Sequence, residues 1–73
     1  MTKYSFSIII ERDEDSRYVA SCPALQGCYS EGETEVEARE NLREAIALHI
    51  EDRRENGEPI PEEISLETLK IAV

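Results

Sequence analysis

Alternation opens the chain. Along Tyr4-Ser5-Phe6-Ser7-Ile8-Ile9-Ile10-Glu11, Tyr4, Phe6, Ile8 and Ile10 fall on one side, with Ser5, Ser7 and Glu11 on the other. That period of two predicts a strand with one buried face. Ile9 breaks the pattern and is expected to stand apolar on the outer face. Asp13-Glu14-Asp15-Ser16 is a polar turn, and Arg17 to Cys22 resumes strand character around Tyr18, Val19 and Ala20, so the two runs make a hairpin. Pro23 ends the second strand because it has no N–H for a sheet ladder. The bend Pro23-Ala24-Leu25-Gln26-Gly27 closes on a glycine free to take positive φ. Cys28 to Glu31 then reads as a short third strand, ended by Gly32.

The spacing next changes to that of a helix. Thr34-Glu35-Val36-Glu37 is a capping box, in which the Thr34 hydroxyl and the Glu37 carboxylate are placed to satisfy each other's backbone donors. Ala38, Leu42, Ala45, Ile46 and His49 share one helical face. Glu35 with Arg39, and Glu40 with Arg43, are spaced for exposed ion pairs worth a few tenths of a kcal/mol. Asn56-Gly57 supplies the C-terminal cap, and Pro59 and Pro61 prevent continuation.

Alternation returns near the end, with Leu69, Ile71 and Val73 on one side and Thr68, Lys70 and Ala72 on the other. This predicts a last strand returning to the sheet. The expected fold is α+β, in the order β-β-β-α-β: an antiparallel-rich sheet with one helix on one face, forming one domain over residues 1–73. One helix covers one face only. Ile9, Val19 and Tyr29 are therefore expected to leave an apolar patch on the other, to be covered by a second subunit or a partner.

Length sharpens that expectation. A 73-residue chain buries only about 60% of the surface its unfolded form exposes, so its core is thin and association is the expected support. The formal charge of −9, from 17 acidic and 8 basic residues, repels phosphate and anionic membrane and favours a basic partner. No apolar run approaches the roughly 20 residues that span a bilayer. The N-terminus lacks the basic start and apolar core of a signal peptide, so Cys22 and Cys28 are read as reduced thiols of a cytoplasmic protein, packed as small hydrophobes.

Candidate chemistry is sparse. His49, the one imidazole, lies on the core stripe of the helix, where a packed, hydrogen-bonded histidine is the ordinary outcome. Two cysteines and one histidine do not close a zinc site unaided. The turn Asp13-Glu14-Asp15 lacks the glycine and distal glutamate of an EF-hand loop, and there is no phosphate loop or nucleophile elbow. A two-metal nuclease draws carboxylates from separate strands, for which Glu11 and Glu31 are the candidates, and nothing in the sequence brings them together. No catalytic residue, cofactor or metal is therefore expected.

The pieces taken in order resemble the HicB family of antitoxins along essentially the whole chain. They are the strand–acidic turn–strand with Tyr18-Val19-Ala20, then Cys22-Pro23-Ala24-Leu25-Gln26-Gly27-Cys28, Ser30-Glu31-Gly32-Glu33-Thr34, Glu35-Val36-Glu37-Ala38, Asn41-Leu42-Arg43-Glu44-Ala45 and Gly57-Glu58-Pro59-Ile60-Pro61. The resemblance implies a partial ribonuclease-H-like fold without that nuclease's catalytic carboxylates. It implies the antitoxin of a type II toxin–antitoxin pair, binding a HicA-like toxin: a small basic protein that cleaves messenger RNA using a histidine. It also implies assembly as a dimer or higher homo-oligomer. Many members carry a C-terminal DNA-binding domain, and these 73 residues are expected to correspond to a short form without one, with no direct nucleic-acid contact. Asp13 and Asp15 on the hairpin turn, with Glu31, Glu33 and Glu35 at the strand-to-helix junction, are the expected toxin contacts. The competing readings are an orphan regulatory or structural module of the same fold and a metal-dependent nuclease.

Overall fold

The computed structural model describes residues 3–73. Three strands, β1 (Ile9–Arg12), β2 (Tyr18–Ser21) and β3 (Tyr29–Gly32), precede one helix, α1 (Glu35–Glu55). The sheet is antiparallel throughout, in the order β1-β2-β3. Its register aligns Ile9, Ser21 and Tyr29 in one cross-strand row and Glu11, Val19 and Glu31 two residues along, on the same face. The rows between them, Ile10-Ala20-Ser30 and Arg12-Tyr18-Gly32, face the helix side.

Local chemistry explains each junction. Asp13 Oδ1 accepts from the N–H groups of Asp15 and Arg17, both at 2.9 Å, so its side chain builds the hairpin turn. Ser16 completes that turn at φ +64°, an uncommon position for a side chain. Gly27 takes φ +78° in the bend, where the Cys28 N–H donates to Leu25 O and the Cys22 N–H to Cys28 O. Thr34 Oγ1 accepts from the Glu37 N–H at 3.0 Å, as expected of the N-cap. The Glu37 carboxylate accepts from Glu33 N–H, one residue earlier than a symmetric capping box requires. At the far end, Gly57 at φ +68° donates to Arg54 O and Glu58 donates to Arg53 O, which is a Schellman cap. The Glu40–Arg43 pair forms at 3.4 Å on the surface, and the Glu35–Arg39 pair does not form among the described residues.

The core lies between the sheet and α1. It is built from Ala20, Cys22, Leu25, Cys28, Ala38, Leu42 and Ile50, of which only Leu25 and Leu42 are large and fully enclosed. Each of those leucines contributes about 1.5–3 kcal/mol by leaving water. Ile50 belongs to the helical stripe and His49 only borders it, because α-helical spacing carries Ile46 on to position 50.

Two expectations fail at the sheet edge. Only Ile9–Arg12 of the first apolar run is paired, although Phe6, Ile8 and Ile10 still pack on the core. The cause is β2, which ends at Ser21 before the Cys22-Pro23 bend and leaves residues 4–8 nothing to pair with. The final strand is also missing from the sheet: residues 58–73 contain neither helix nor strand. At its start, the Glu63 carboxylate takes the Ser7 N–H at 3.1 Å and the Ser7 hydroxyl at 3.0 Å. A side chain thus occupies the donor that a neighbouring strand's carbonyl would need, and the chain leaves the sheet there.

Candidate functional site

The outer face of the sheet has no helix over it. Strand alternation sends Ile9, Val19 and Tyr29 to that face, and the register sets Ser21 between Ile9 and Tyr29, with Glu11 and Glu31 on either side of Val19. Ile9 is 38% exposed and Tyr29 64%. The expected apolar patch is present, but it is interleaved with carboxylates. A surface of this kind, apolar at intervals and rimmed by one sign of charge, suits a protein partner of opposite charge.

At one end of this face the register brings distant residues together. Tyr18 pairs with Gly32, so the hairpin turn and the β3–α1 junction are neighbours, and Arg17 Nη1 lies 3.8 Å from Glu33 Oε1. Both side chains of that pair are exposed, so it contributes well under 1 kcal/mol and leaves Glu33 accessible. Asp15, Glu31, Glu33 and Glu35 are all exposed here. Asp13 is half-buried, with one carboxylate oxygen committed to the turn. Arg12 donates to Tyr18 Oη at 2.8 Å and its guanidinium lies 5.3 Å from the ring centre. That hydrogen bond, and more weakly Glu35, holds the Arg12 pKa above its ordinary value. Glu11, which the acidic turn and junction do not include, also stands on this outer face. Its parity with Ile9 was the available signal, since both lie on the face away from the helix.

The groups with chemical potential are occupied structurally. His49 Nε2 accepts from Arg53 Nε at 2.9 Å, and Arg53 also donates to Pro59 O at 2.9 Å, which ties the helix end to the following loop. Burial pushes both the Cys22 and the Cys28 thiol above the ordinary value, the opposite of an activated nucleophile. Glu11 and Glu31 have Val19 between them, and among the described residues no three His, Cys, Asp or Glu side chains gather as metal ligands would. No described helix is long and apolar enough to cross a membrane.

Comparison with known proteins resolves the family. The HicB_like antitoxin family of bacterial toxin–antitoxin systems matches residues 6–72. The chain belongs to this family. A UPF0150 protein of Synechocystis sp. is 42% identical over 60 residues, covering 82% of this chain and 76% of that relative. A UPF0150 protein of Thermoplasma acidophilum is 45% identical over 56 residues, covering 77% and 81%. The crystal structure of the N-terminal domain of Burkholderia pseudomallei antitoxin HicB superposes with a TM-score of 0.72 at 38% identity, covering 84% of this chain and 72% of that one. Three antiparallel strands followed by one helix, the α+β arrangement described above, are therefore the fold of the HicB N-terminal domain.

Proposed function

We propose that this HicB-like chain is the antitoxin of a type II pair and neutralises a small, basic, HicA-like toxin that cleaves messenger RNA. It acts in the cytoplasm by binding, performs no catalysis, makes no direct contact with nucleic acid and associates with further copies of itself. The observation that carries this reading is the outer sheet face, where Ile9, Val19 and Tyr29 stand among Glu11 and Glu31 beside the acidic hairpin–helix end. A basic toxin would bury the apolar side chains while its lysines and arginines meet Glu31, Glu33, Glu35, Asp15 and the free oxygen of Asp13. The charge of −9 adds long-range attraction that speeds encounter and is screened by salt.

The test is calorimetric titration of the cognate toxin at low salt. Glu31→Lys with Glu33→Lys should weaken binding at least about tenfold, because each reversal replaces an attraction by a repulsion. Unchanged affinity would show that the toxin sits elsewhere.

A further inference from the structure

The sheet edge and the chain's own tail complement each other. α1 lies over β3 and β2 and scarcely touches β1, so the inner side of the β1 run is left open. The result is a groove of about 350 Å³ with an apolar floor of Phe6, Ile8, Leu42 and Ile46, and with Arg39 and Arg43 at its rim. Among the described residues no strand pairs with the edge of β1 away from β2, and the Ser7 N–H held by Glu63 lies ahead of that strand. Residues 64–73 meanwhile run clear of the domain, with Ile64 85%, Leu69 77% and Ile71 75% exposed. The radius of gyration is 13.8 Å, against about 11 Å for a compact chain of this length, as expected when an arm projects.

An exposed apolar arm and an open apolar edge on one molecule are the two halves of an exchange. We propose that the arm 64–73 of each copy docks beside the β1 edge of a second copy, setting Leu69, Ile71 and Val73 into the groove between residues 4–8 and α1. The proposal rests on the self-association in the reading above and names the segment that carries it. Charge selects the occupant. The arginine rim repels a basic toxin, whereas the arm is neutral, with Glu67 on the side of Leu69 and Ile71 that meets the rim and Lys70 on the opposite side. The anchor of Glu63 on Ser7 fixes where the arm departs. Ten extended residues reach about 33 Å, enough to cross to a neighbouring subunit. Two arms and two receiving edges also involve about 20 residues a side, the size of a standard stable interface.

Sedimentation equilibrium of the full chain, without toxin, tests this. The wild type should sediment as a dimer, at twice the 8.3 kDa chain mass. Leu69→Lys with Ile71→Lys should weaken the dimer about a hundredfold or more, as losing two aliphatic anchors per arm requires, with helical circular dichroism unchanged. In mixed-label NMR of the wild type, Leu69 and Ile71 methyls of one chain should show contacts to the Phe6 ring of another. A dimer untouched by the arm substitutions overturns the exchange and leaves self-association standing. A wild-type monomer at millimolar concentration overturns both. Leu69 contacts to Phe6 within one chain would mean the arm docks on its own domain, which also overturns the exchange. Toxin affinity, measured separately, can fail or succeed without deciding any of these outcomes.

Discussion

A single methyl group at Gly32 should disturb both the fold and the proposed toxin contacts. Gly32 is buried where β3 passes under the start of α1, and a Cβ there would lie 2.5 Å from the Ala38 nitrogen and 2.9 Å from Glu37 Cβ. Ordinary contact begins at 3.4 Å, so strand and helix must separate by about 0.9 Å (3.4 − 2.5) at a point made of backbone. Overpacking of this kind costs about 1–3 kcal/mol, against roughly 4–11 kcal/mol of total stability for a domain this size. At about 4–8 °C per kcal/mol, a 2 kcal/mol loss lowers Tm by about 8–16 °C. Gly32→Ala should be compared with Gly57→Ala in urea titrations followed by circular dichroism. Gly57 has open space but a left-handed φ of +68°, so its substitution strains the backbone only locally, by about 1–2 kcal/mol. Hydrogen exchange separates the mechanisms. The Ala38 N–H, which donates to Thr34 O at 3.0 Å, should lose protection in Gly32→Ala and keep it in Gly57→Ala. Because Glu33 and Glu35 flank the displaced cap, toxin affinity should fall with Gly32→Ala alone. A Gly32→Ala variant that melts within about 2 °C of the parent and retains Ala38 protection would refute the close approach.

Two further outcomes follow from the same geometry. Ser16→Gly should raise stability by about 0.5–1 kcal/mol in chemical denaturation, since it relieves a side chain held at φ +64° in the hairpin turn, less the entropy glycine adds to the unfolded chain. A destabilised variant would show that the Ser16 side chain has a role of its own. Stability should also fall on the alkaline side. Burial raises both thiol pKa values in the folded state, so the unfolded chain releases those protons first as pH climbs. That contribution is complete below the ordinary thiol value of about 8.5 and is lost as pH rises from there through the raised folded values. Urea midpoints measured from neutral to alkaline pH should show the decline, and Cys22→Ala with Cys28→Ala should flatten it. An equal slope in that double variant would assign the loss to other groups.

A thin core and an unfilled edge connect these predictions to function. Among the described residues that are buried, only Leu25, Leu42 and Ile50 are larger than cysteine, which limits what the isolated domain can gain from burial. Association at the outer face and along β1 would bury apolar surface that the chain cannot cover with one helix.

The local elements were legible because their causes are local. Alternation, the Pro23 stop, the Gly27 bend, the Thr34 cap and the Gly57 cap all act within a few residues, and the hairpin, the third strand and the helix lie where those signals put them, although the first strand is paired only from Ile9. The acidic candidates were also legible as residue types on a turn and a junction. What no local pattern contains is which of them meet. Only the pairing of Tyr18 with Gly32 brings Arg17 to Glu33 and joins the two acidic segments, and only the register of β1 sets Glu11 beside Val19 opposite Glu31. Gly32 reads as a strand terminator, yet its φ is not left-handed and the helix packed above it is what excludes a side chain. The last segment shows the same limit most clearly. Its alternation specifies a strand-like arm, but whether that arm has a neighbour is a property of the edge, where Glu63 has already taken the Ser7 donor. Periodicity sets which side chains share a face. Pairing across long separations is decided by the donors, acceptors and space that the folded molecule leaves open.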